Sequence, residues 1–345
     1  MSNVPVFVGL DYHQDSIQVC VLNQQGDVLL NRSAKNDRRE VGRIVQPLGV
    51  VERVGIEACC GAADFGEELV QELGWNVSLG HPAYIARIKS SPDKTDFSDS
   101  RLLADLTRVG YLPRVWLPPA NIRELRQLVN HRQRLVDHAR SLKLQVGAVL
   151  REQRVKIDRD RGSRWSKAWT LSVRDNERLS KHARWIVNAL LEEISHTVGK
   201  IAQTAERLGE ATLDDPVIKR LKEQPGIGEV TAWVLRAYIG RFDRFKTAKQ
   251  LSRYCGMSPC NTSSGNKTAD SGLIDGCNKL LRMTVVQAAH RLMRTVERWS
   301  RLAASLEKRG KPTCVIVGAV GNRWLRNLHH AMKHQPTERD PVAMK

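Results

Sequence analysis

Along the first hundred residues the apolar positions change period several times, and each change marks an element. Val6-Phe7-Val8-Gly9-Leu10 is a near-continuous apolar run that stops at Asp11, the pattern of a strand buried on both faces. Ile17, Val19 and Val21 alternate with other residues, and Gln25-Gly26-Asp27 supplies a turn before Val28-Leu29-Leu30. These three segments predict an antiparallel meander. Val41, Ile44, Val45 and Leu48 predict a helix from Asp37, and Val50 to Ile56 a strand ending at Glu57. Phe65, Leu69, Val70 and Leu73 mark another helix, Trp75 to Leu79 another strand, and Leu102, Leu103, Leu106 and Val109 a last helix.

Three leading strands followed by βα units describe an α/β, RNase-H-like mixed sheet with flanking helices. In that arrangement Asp11 and Glu57 close neighbouring strands one and four, so their carboxylates can meet at one sheet end. Asp96 and Asp99, three residues apart at a helix start, share a face at the positive end of the helix dipole. Singly, such residues are more often turn or cap residues, and Asp96 alone could be an N-cap. Four converging carboxylates repel, and a fold tolerates that by holding Mg²⁺ or Mn²⁺. Two such ions suit phosphodiester chemistry.

Beyond residue 112 the pattern becomes helical. Leu128, Leu135, Leu142 and Val149 recur every seven residues, with Leu125, Arg132, Ala139 and Val146 as a second set. Val187, Ile194, Ile201 and Leu208 repeat likewise, beside Leu191, Val198 and Ala205. These heptads predict an all-α coiled-coil region and self-association. The Arg-rich stretch from Gln153 to Lys167 turns the chain back between them. Further on, Leu221-x-x-x-Pro225-Gly226-Ile227-Gly228-x-x-Thr231-Ala232-x-x-Leu235 has the form of a helix-hairpin-helix. Backbone N–H groups exposed at such a turn can hold a DNA phosphate, although any tight turn between helices favours Pro-Gly.

Charge sharpens this picture. The 345 residues carry a formal net charge of +18, an excess that points to a polyanionic partner, most simply nucleic acid, with an acidic membrane surface the weaker alternative. It is unevenly spread: residues 1–105 hold 10 basic and 15 acidic residues, the remainder 45 and 22. Residues 112–184 alone hold 18 basic against 7 acidic, a density suited to tracking a phosphate backbone. Seven cysteines without a Cys-x-x-Cys pair suggest neither a disulfide framework nor a zinc knuckle, and they read as reduced cytosolic thiols. The N-terminus has no signal-peptide pattern and no segment is apolar enough to span a membrane, so a soluble, intracellular protein is expected.

Thr262-Ser263-Ser264-Gly265 reads by itself as a polar loop, with no His at triad spacing and no Gly-x-Ser-x-Gly or Walker sequence. In company it carries more. Gly9-Leu10-Asp11, Ile56-Glu57-Ala58 and Lys94-Thr95-Asp96-x-x-Asp99-Ser100-x-x-Leu103-Ala104 stand in the first part of the chain. Pro225-Gly226-Ile227-Gly228, Gly256-x-x-Pro259, Ser264-Gly265 and Gly276-x-Asn278-x-x-Leu281-Arg282 follow in the second. In this order they resemble the DEDD transposases of insertion-sequence family one-hundred-and-ten, which include bridge-RNA-guided recombinases and the Piv-type invertases.

The resemblance implies a RuvC-like catalytic domain over residues 1–112, a basic coiled-coil region over 113–215, a transposase domain with the helix-hairpin-helix over 216–330 and a tail over 331–345. It implies that Asp11, Glu57, Asp96 and Asp99 bind Mg²⁺, with Mn²⁺ as a substitute, and that Ser264 is the nucleophile. The partners implied are double-stranded target and donor DNA, a structured bridge RNA and further copies of the chain, as a dimer to tetramer. The setting implied is the cytoplasm and nucleoid of a prokaryote. Gly226, Gly228, Arg132, Lys267 and Arg282 are the candidate nucleic-acid contacts. Ser100 stands where many relatives carry Ala, and Asp275 and Cys277 replace commoner residues ahead of Asn278. Two other readings remain open at this point: a RuvC-like structure-selective nuclease in which water attacks, and a non-catalytic architectural DNA- or RNA-binding protein.

Overall fold

The computed structural model describes residues 4–89, 95–156, 163–261 and 270–333. The chain divides at Ala120/Asn121 into two compact units. In the first, strands β1 (Pro5–Tyr12), β2 (Ser16–Leu22), β3 (Val28–Lys35), β4 (Val50–Glu57), β5 (Val77–Gly80) and β6 (Arg114–Val115) form one sheet in the order β3-β2-β1-β4-β5-β6. The meander β1-β2-β3 is antiparallel, β4 and β5 run parallel to β1, and β6 turns back antiparallel. Helices α1 (Arg38–Val45), α2 (Ala62–Leu73), α3 (Pro82–Ile88) and α4 (Asp96–Arg108) complete the unit. This mixed sheet with helices is the RNase-H-like arrangement that the apolar pattern predicts.

The run Val6 to Leu10 is central because it is covered on both faces: Val6, Val8 and Leu10 are fully buried on one, and Phe7 and Gly9 are buried on the other. On one face Val6, Val8, Leu10, Val54 and Ile56 share a core with Val41, Val45, Phe65 and Leu69 from α1 and α2. On the other lies α4. There the sheet offers Gly9 and Gly55, paired across β1 and β4. A Cβ on Gly9 would lie 2.1 Å from the Ser100 carbonyl oxygen and 2.3 Å from the Ala104 nitrogen, and one on Gly55 would lie 2.1 Å from Thr107 Oγ1. The helix backbone therefore rests directly on the sheet, with Leu103 and Ala104 buried beneath it. Polar bonds fix its start: Ser100 Oγ donates to Asn31 Oδ1 at 3.2 Å, Asn31 Nδ2 to the Phe97 carbonyl at 3.0 Å, and Gln18 Nε2 to Asn31 Oδ1 at 2.8 Å. Ser100, fully buried, thus ties α4 to the meander by a bond an alanine could not make.

The second unit contains α5 (Ala120–Glu152), α6 (Lys167–Arg174), α7 (Lys181–Ala211), α8 (Pro216–Lys222), α9 (Glu229–Ile239), α10 (Ala248–Tyr254), the two-stranded ribbon β7 (Pro259–Asn261) and β8 (Asp270–Leu273), α11 (Lys279–Thr295), α12 (Glu297–Lys308) and α13 (Thr313–Met332). The long helices α5 and α7 pair antiparallel. Leu142, Val146 and Leu150 meet Ala183, Val187 and Leu191 at one end, Leu125 and Val129 join the cluster of Leu208 at the other, and His138 Nε2 lies 2.9 Å from Glu193 Oε1 between them. The buried stripe of α5 takes Leu125, Ala139 and Val146 from one expected heptad set but only Leu142 from the other. Leu125, Val129, Ala139, Leu142, Val146 and Leu150 are buried, whereas Leu128, Leu135 and Val149 are half-buried. Alternating three- and four-residue steps keep one face of a 3.6-residue helix against its neighbours, and here those neighbours belong to the same chain. A second core gathers α8 to α13, with Trp233, Leu235, Phe242, Leu281, Val285, Trp324 and Leu325.

Gly9→Ala and Gly55→Ala should each destabilise the first unit by about 2–4 kcal/mol, because backbone atoms of α4 or a buried threonine must move to admit the methyl group. Urea unfolding of the full chain followed by circular dichroism measures this; parental midpoints in both variants would show that α4 can lift without cost.

Candidate active site

The site begins with the strand register. Leu10 pairs with Ile56 in the parallel β1–β4 ladder, so Asp11 and Glu57 are the next residues along two adjacent strands at one sheet end. Side chains alternate in a strand, so Asp11 faces the same side as Gly9, and Glu57 the same side as Gly55. That is the face on which α4 lies. The helix opens with Thr95 as N-cap, whose Oγ1 accepts from the Ser98 backbone N–H at 3.2 Å while Ser98 Oγ accepts from the Thr95 N–H at 3.3 Å. Thr95 holds the cap, so Asp96 is the first residue of the helix and its carboxylate is not used for capping. Asp96 and Asp99 stand in the first turn, where the helix dipole favours negative charge.

Among the described residues, Asp11, His13 and Asp96 form a group whose ligand atoms all lie within 4.8 Å of one another. His13 Nε2 sits between the two acids, 3.3 Å from Asp11 Oδ2 and 3.6 Å from Asp96 Oδ1. Asp99 is held by Lys89, Nζ to Oδ2 at 2.5 Å. Asp11 and Asp99 are largely covered, with side-chain exposures of 16% and 13%, while Asp96 is open at 66%. Glu57, at its strand end, lies outside the Asp11–His13–Asp96 group. Burial pushes the Asp11 carboxyl above its ordinary value; His13 opposes the shift, and the charges of Asp96 and Asp99 add to it. Burial likewise raises the Cys59 thiol, with Glu57 and Asp11 contributing, so the exposed cysteine beside the site is kept protonated.

Oxygen-rich carboxylate sets with an imidazole nearby suit a hard divalent cation. Asp11 feels the charges of Asp96 and Asp99, and His13 and Lys89 sit against these acids. The donor chemistry therefore fits the ions expected from the four acids. His13 follows Asp11 by two positions, just past the end of β1, and no sequence motif singled it out. Lys89 follows the end of α3 in no recognisable pattern, and only the fold brings it to Asp99.

The remaining candidates fall in the second unit. Gly226 and Gly228 lie in the turn between α8 and α9, Gly226 with φ +83° and Gly228 as N-cap of α9. A Cβ on Gly226 would stand 2.6 Å from a methyl carbon of Leu292, so this glycine allows the turn to pack on α11. Arg282 lies in the first turn of α11 beneath Gly256, 3.9 Å from Asp275, with Nε and Nη2 shielded and without hydrogen-bond partners among the described residues. Cys277 lies under the same glycine. Arg132, on α5, has its charge disfavoured by burial. Ser264 and Lys267 lie outside the described residues.

Because its ionisation is disfavoured in the folded chain, Asp11 weakens the fold as pH rises from its unfolded value through its raised folded value. Without divalent ions, Asp11→Asn should raise Tm by about 1–3 °C at neutral pH. Asp96→Asn should lower the Asp11 pKa, since a like charge is removed, as read by carboxyl carbon NMR. A lower Tm and an unmoved Asp11 titration would show that the acids do not interact.

A family model described as a transposase of the DEDD type matches residues 8–154, and one described as the IS116/IS110/IS902 transposase family matches residues 218–304. The chain is 25% identical over 310 residues to a transposase for insertion sequence element IS1111A of Coxiella burnetii, covering 88% of this chain and 83% of the relative. It is 25% identical over 297 residues to a transposase for insertion sequence element IS1328 of Yersinia enterocolitica, with 86% of each chain covered. A probable family 20 transposase of Pseudomonas aeruginosa is 23% identical over 330 residues, 93% of this chain and 95% of the relative. With the DEDD match over the acid-bearing sheet and the second match over the helices that follow, in the order the motifs predict, the chain belongs to the IS116/IS110/IS902 family of DEDD transposases, enzymes that act on DNA.

Proposed function

We propose that this transposase cuts and rejoins DNA through a phosphoserine intermediate on Ser264, with Asp11, Glu57, Asp96 and Asp99 holding Mg²⁺, or Mn²⁺ in its place. An element-encoded bridge RNA pairs with target and donor DNA, and the chain works as a dimer to tetramer. The observation that carries the reading is the placement of acids from β1, β4 and the first turn of α4 at one sheet end. Within this proposal residues 1–112 supply the acids, 113–215 a basic helical region, 216–330 the serine and the Pro225-Gly226-Ile227-Gly228 turn, and 331–345 a tail. Gly226 and Gly228 offer backbone N–H groups to a phosphate, and Arg132, Lys267 and Arg282 supply positive charge. The open apolar positions Leu144 and Val198, on the outer faces of the helical pair, favour self-association.

The chemistry balances without water. Ser264 Oγ forms a bond to phosphorus as the bond from phosphorus to the departing sugar oxygen breaks; the serine loses its proton and the departing oxygen gains one. A sugar hydroxyl of the new strand then attacks the phosphoserine and restores Ser264. One phosphoester is exchanged for another at each step, so the bond energy is kept for joining. A serine hydroxyl is a weak nucleophile, and a bound divalent ion would supply Lewis-acid polarisation of the phosphoryl oxygen. Asp11 and Asp99, largely covered, place their carboxylates with little freedom, while the open Asp96 leaves the site accessible. A net charge of +18 favours polyanionic partners, and bridge RNA beside DNA is the reading consistent with the family resemblance.

Ser264→Ala should reduce cleavage by about three orders of magnitude or more and abolish the covalent protein–DNA adduct, with nucleic-acid binding unchanged. Ser263→Ala should keep both. The measurement is a denaturing gel of labelled DNA incubated with protein, guide RNA and Mg²⁺, scored for a slow, protease-sensitive band. Cleavage by Ser264→Ala at the parental rate without an adduct would make water the nucleophile and the enzyme a structure-selective nuclease.

A further inference from the structure

Between α12 and α13 lies a cleft of about 350 Å³ lined by Arg298, Trp299, Leu302, Arg323, Arg326, Asn327 and His330. Arg323, the Arg326–Asn327 pair and His330 follow one another at three-, four- and seven-residue steps, so a single stripe of α13 faces the opening. From α12, Arg298 places its guanidinium over the Trp299 ring at 5.0 Å. With its amide oxygen turned toward Arg298, Asn327 accepts from Nη1 and Nη2 at 3.0 and 3.1 Å. The floor is apolar: Trp299 is buried and Leu302 half-buried, while Arg298, Arg323, Arg326 and His330 are exposed at the rim.

Solvated surface arginines are ordinary, and what sets these apart is what surrounds them. Among the described residues, none that lines the cleft is acidic. Residues 278–333 hold twelve Lys and Arg against only Glu297 and Glu307, and Glu297 is engaged by Arg301. Neither α11 nor α13 carries an acidic residue. Three guanidiniums gathered around one concavity repel each other, and a low-dielectric floor focuses their field outward instead of screening it. Arg298 is steadied by a neutral amide, which orients the fork without neutralising it. Such an arrangement gains most from an anion, and guanidinium forks match phosphate oxygens two at a time. An apolar floor and this volume suit an organic phosphate better than a small inorganic anion. Trp299 is too covered to serve as a platform for a base.

We propose that the α12–α13 cleft binds the sugar-phosphate backbone of a nucleic-acid strand, through Arg298, Arg323 and Arg326 with His330 at its edge. The inference rests on the chain's being a transposase and deepens that reading; it does not depend on a phosphoserine. DNA and RNA offer the same phosphodiester, and the two probes below separate them.

The test uses the full-length protein, a short DNA duplex and an RNA hairpin of matching length, with binding followed by fluorescence anisotropy across a salt series. Each phosphate contact removed lowers the salt slope by about one. Arg323→Gln/Arg326→Gln should therefore weaken binding of at least one probe by roughly tenfold at moderate salt and flatten its slope by about one to two. Arg301→Gln, on the same helix but held by Glu297, should change affinity less than about twofold. Loss confined to the duplex assigns the cleft to DNA, loss confined to the hairpin assigns it to RNA, and loss with both shows a shared backbone site. Parental affinity and slope for both probes, with unchanged circular dichroism, would overturn the inference while leaving the cleavage reading intact. A parent protein that forms no DNA adduct yet shows this binding loss would do the reverse.

Discussion

The closeness of α4 to the sheet is the contact on which the site depends. Ordinary side chains at positions 9 and 55 would hold a helix well off the sheet, but two paired glycines leave the strands bare where Ser100, Ala104 and Thr107 pass over them. Two positions further along the same strands come Asp11 and Glu57, and in the helix Asp99 directly precedes Ser100 while Asp96 lies one turn before it. The glycines set the height of the helix, the Ser100–Asn31–Gln18 bonds hold its start, and the carboxylates follow from the geometry. Burial of Asp11 is then a consequence of the packing and raises its carboxyl, with the charges of Asp96 and Asp99 adding to the shift and His13 opposing it.

Charge is distributed to match. Elsewhere in the first unit acids are met by arginines, Glu40 by Arg43 and Asp105 by Arg108 within one helix, and Glu68 and Glu72 of α2 by Arg38 of α1. The acids at the sheet end instead draw on a histidine and a lysine, His13 just past β1 and Lys89 just past α3. Toward the C-terminal helices the balance inverts, and long stretches of α11 and α13 are free of acid altogether. Carboxylates gathered where a cation is needed and guanidiniums gathered where a phosphate is expected describe an enzyme for nucleic acid more fully than net charge does.

Much of this was legible from residue order. The apolar run before Asp11 and the one before Glu57 marked neighbouring strands, because uninterrupted burial belongs to the centre of a sheet, and the Asp96-x-x-Asp99 spacing placed both acids on one helix face. The cap was less readable: Thr95 and Asp96 are both good caps, and hydrogen bonding to Ser98 decided for Thr95. Heptad spacing located the two long helices and, in α5, the buried Leu125, Ala139, Leu142 and Val146, but not Val129 and Leu150, since a period of seven fits several columns and packing within the chain selects among them. Lys89 and the approach of Arg298 to α13 depend on contacts between separate elements, which no local pattern encodes. Ser264 stays a matter of family resemblance, because its segment lies outside the described residues.

The central claim is that the acids on β1, β4 and α4 form a divalent-ion centre. Crystals of the full-length protein grown with Mn²⁺, with anomalous scattering recorded at the manganese edge, test it most directly. The account predicts manganese between Asp11 and the first turn of α4, with Glu57 and Asp99 among the coordinating groups and Lys89 displaced from Asp99. An anomalous map that is blank at that sheet end at millimolar Mn²⁺, with Lys89 still bound to Asp99, would contradict it.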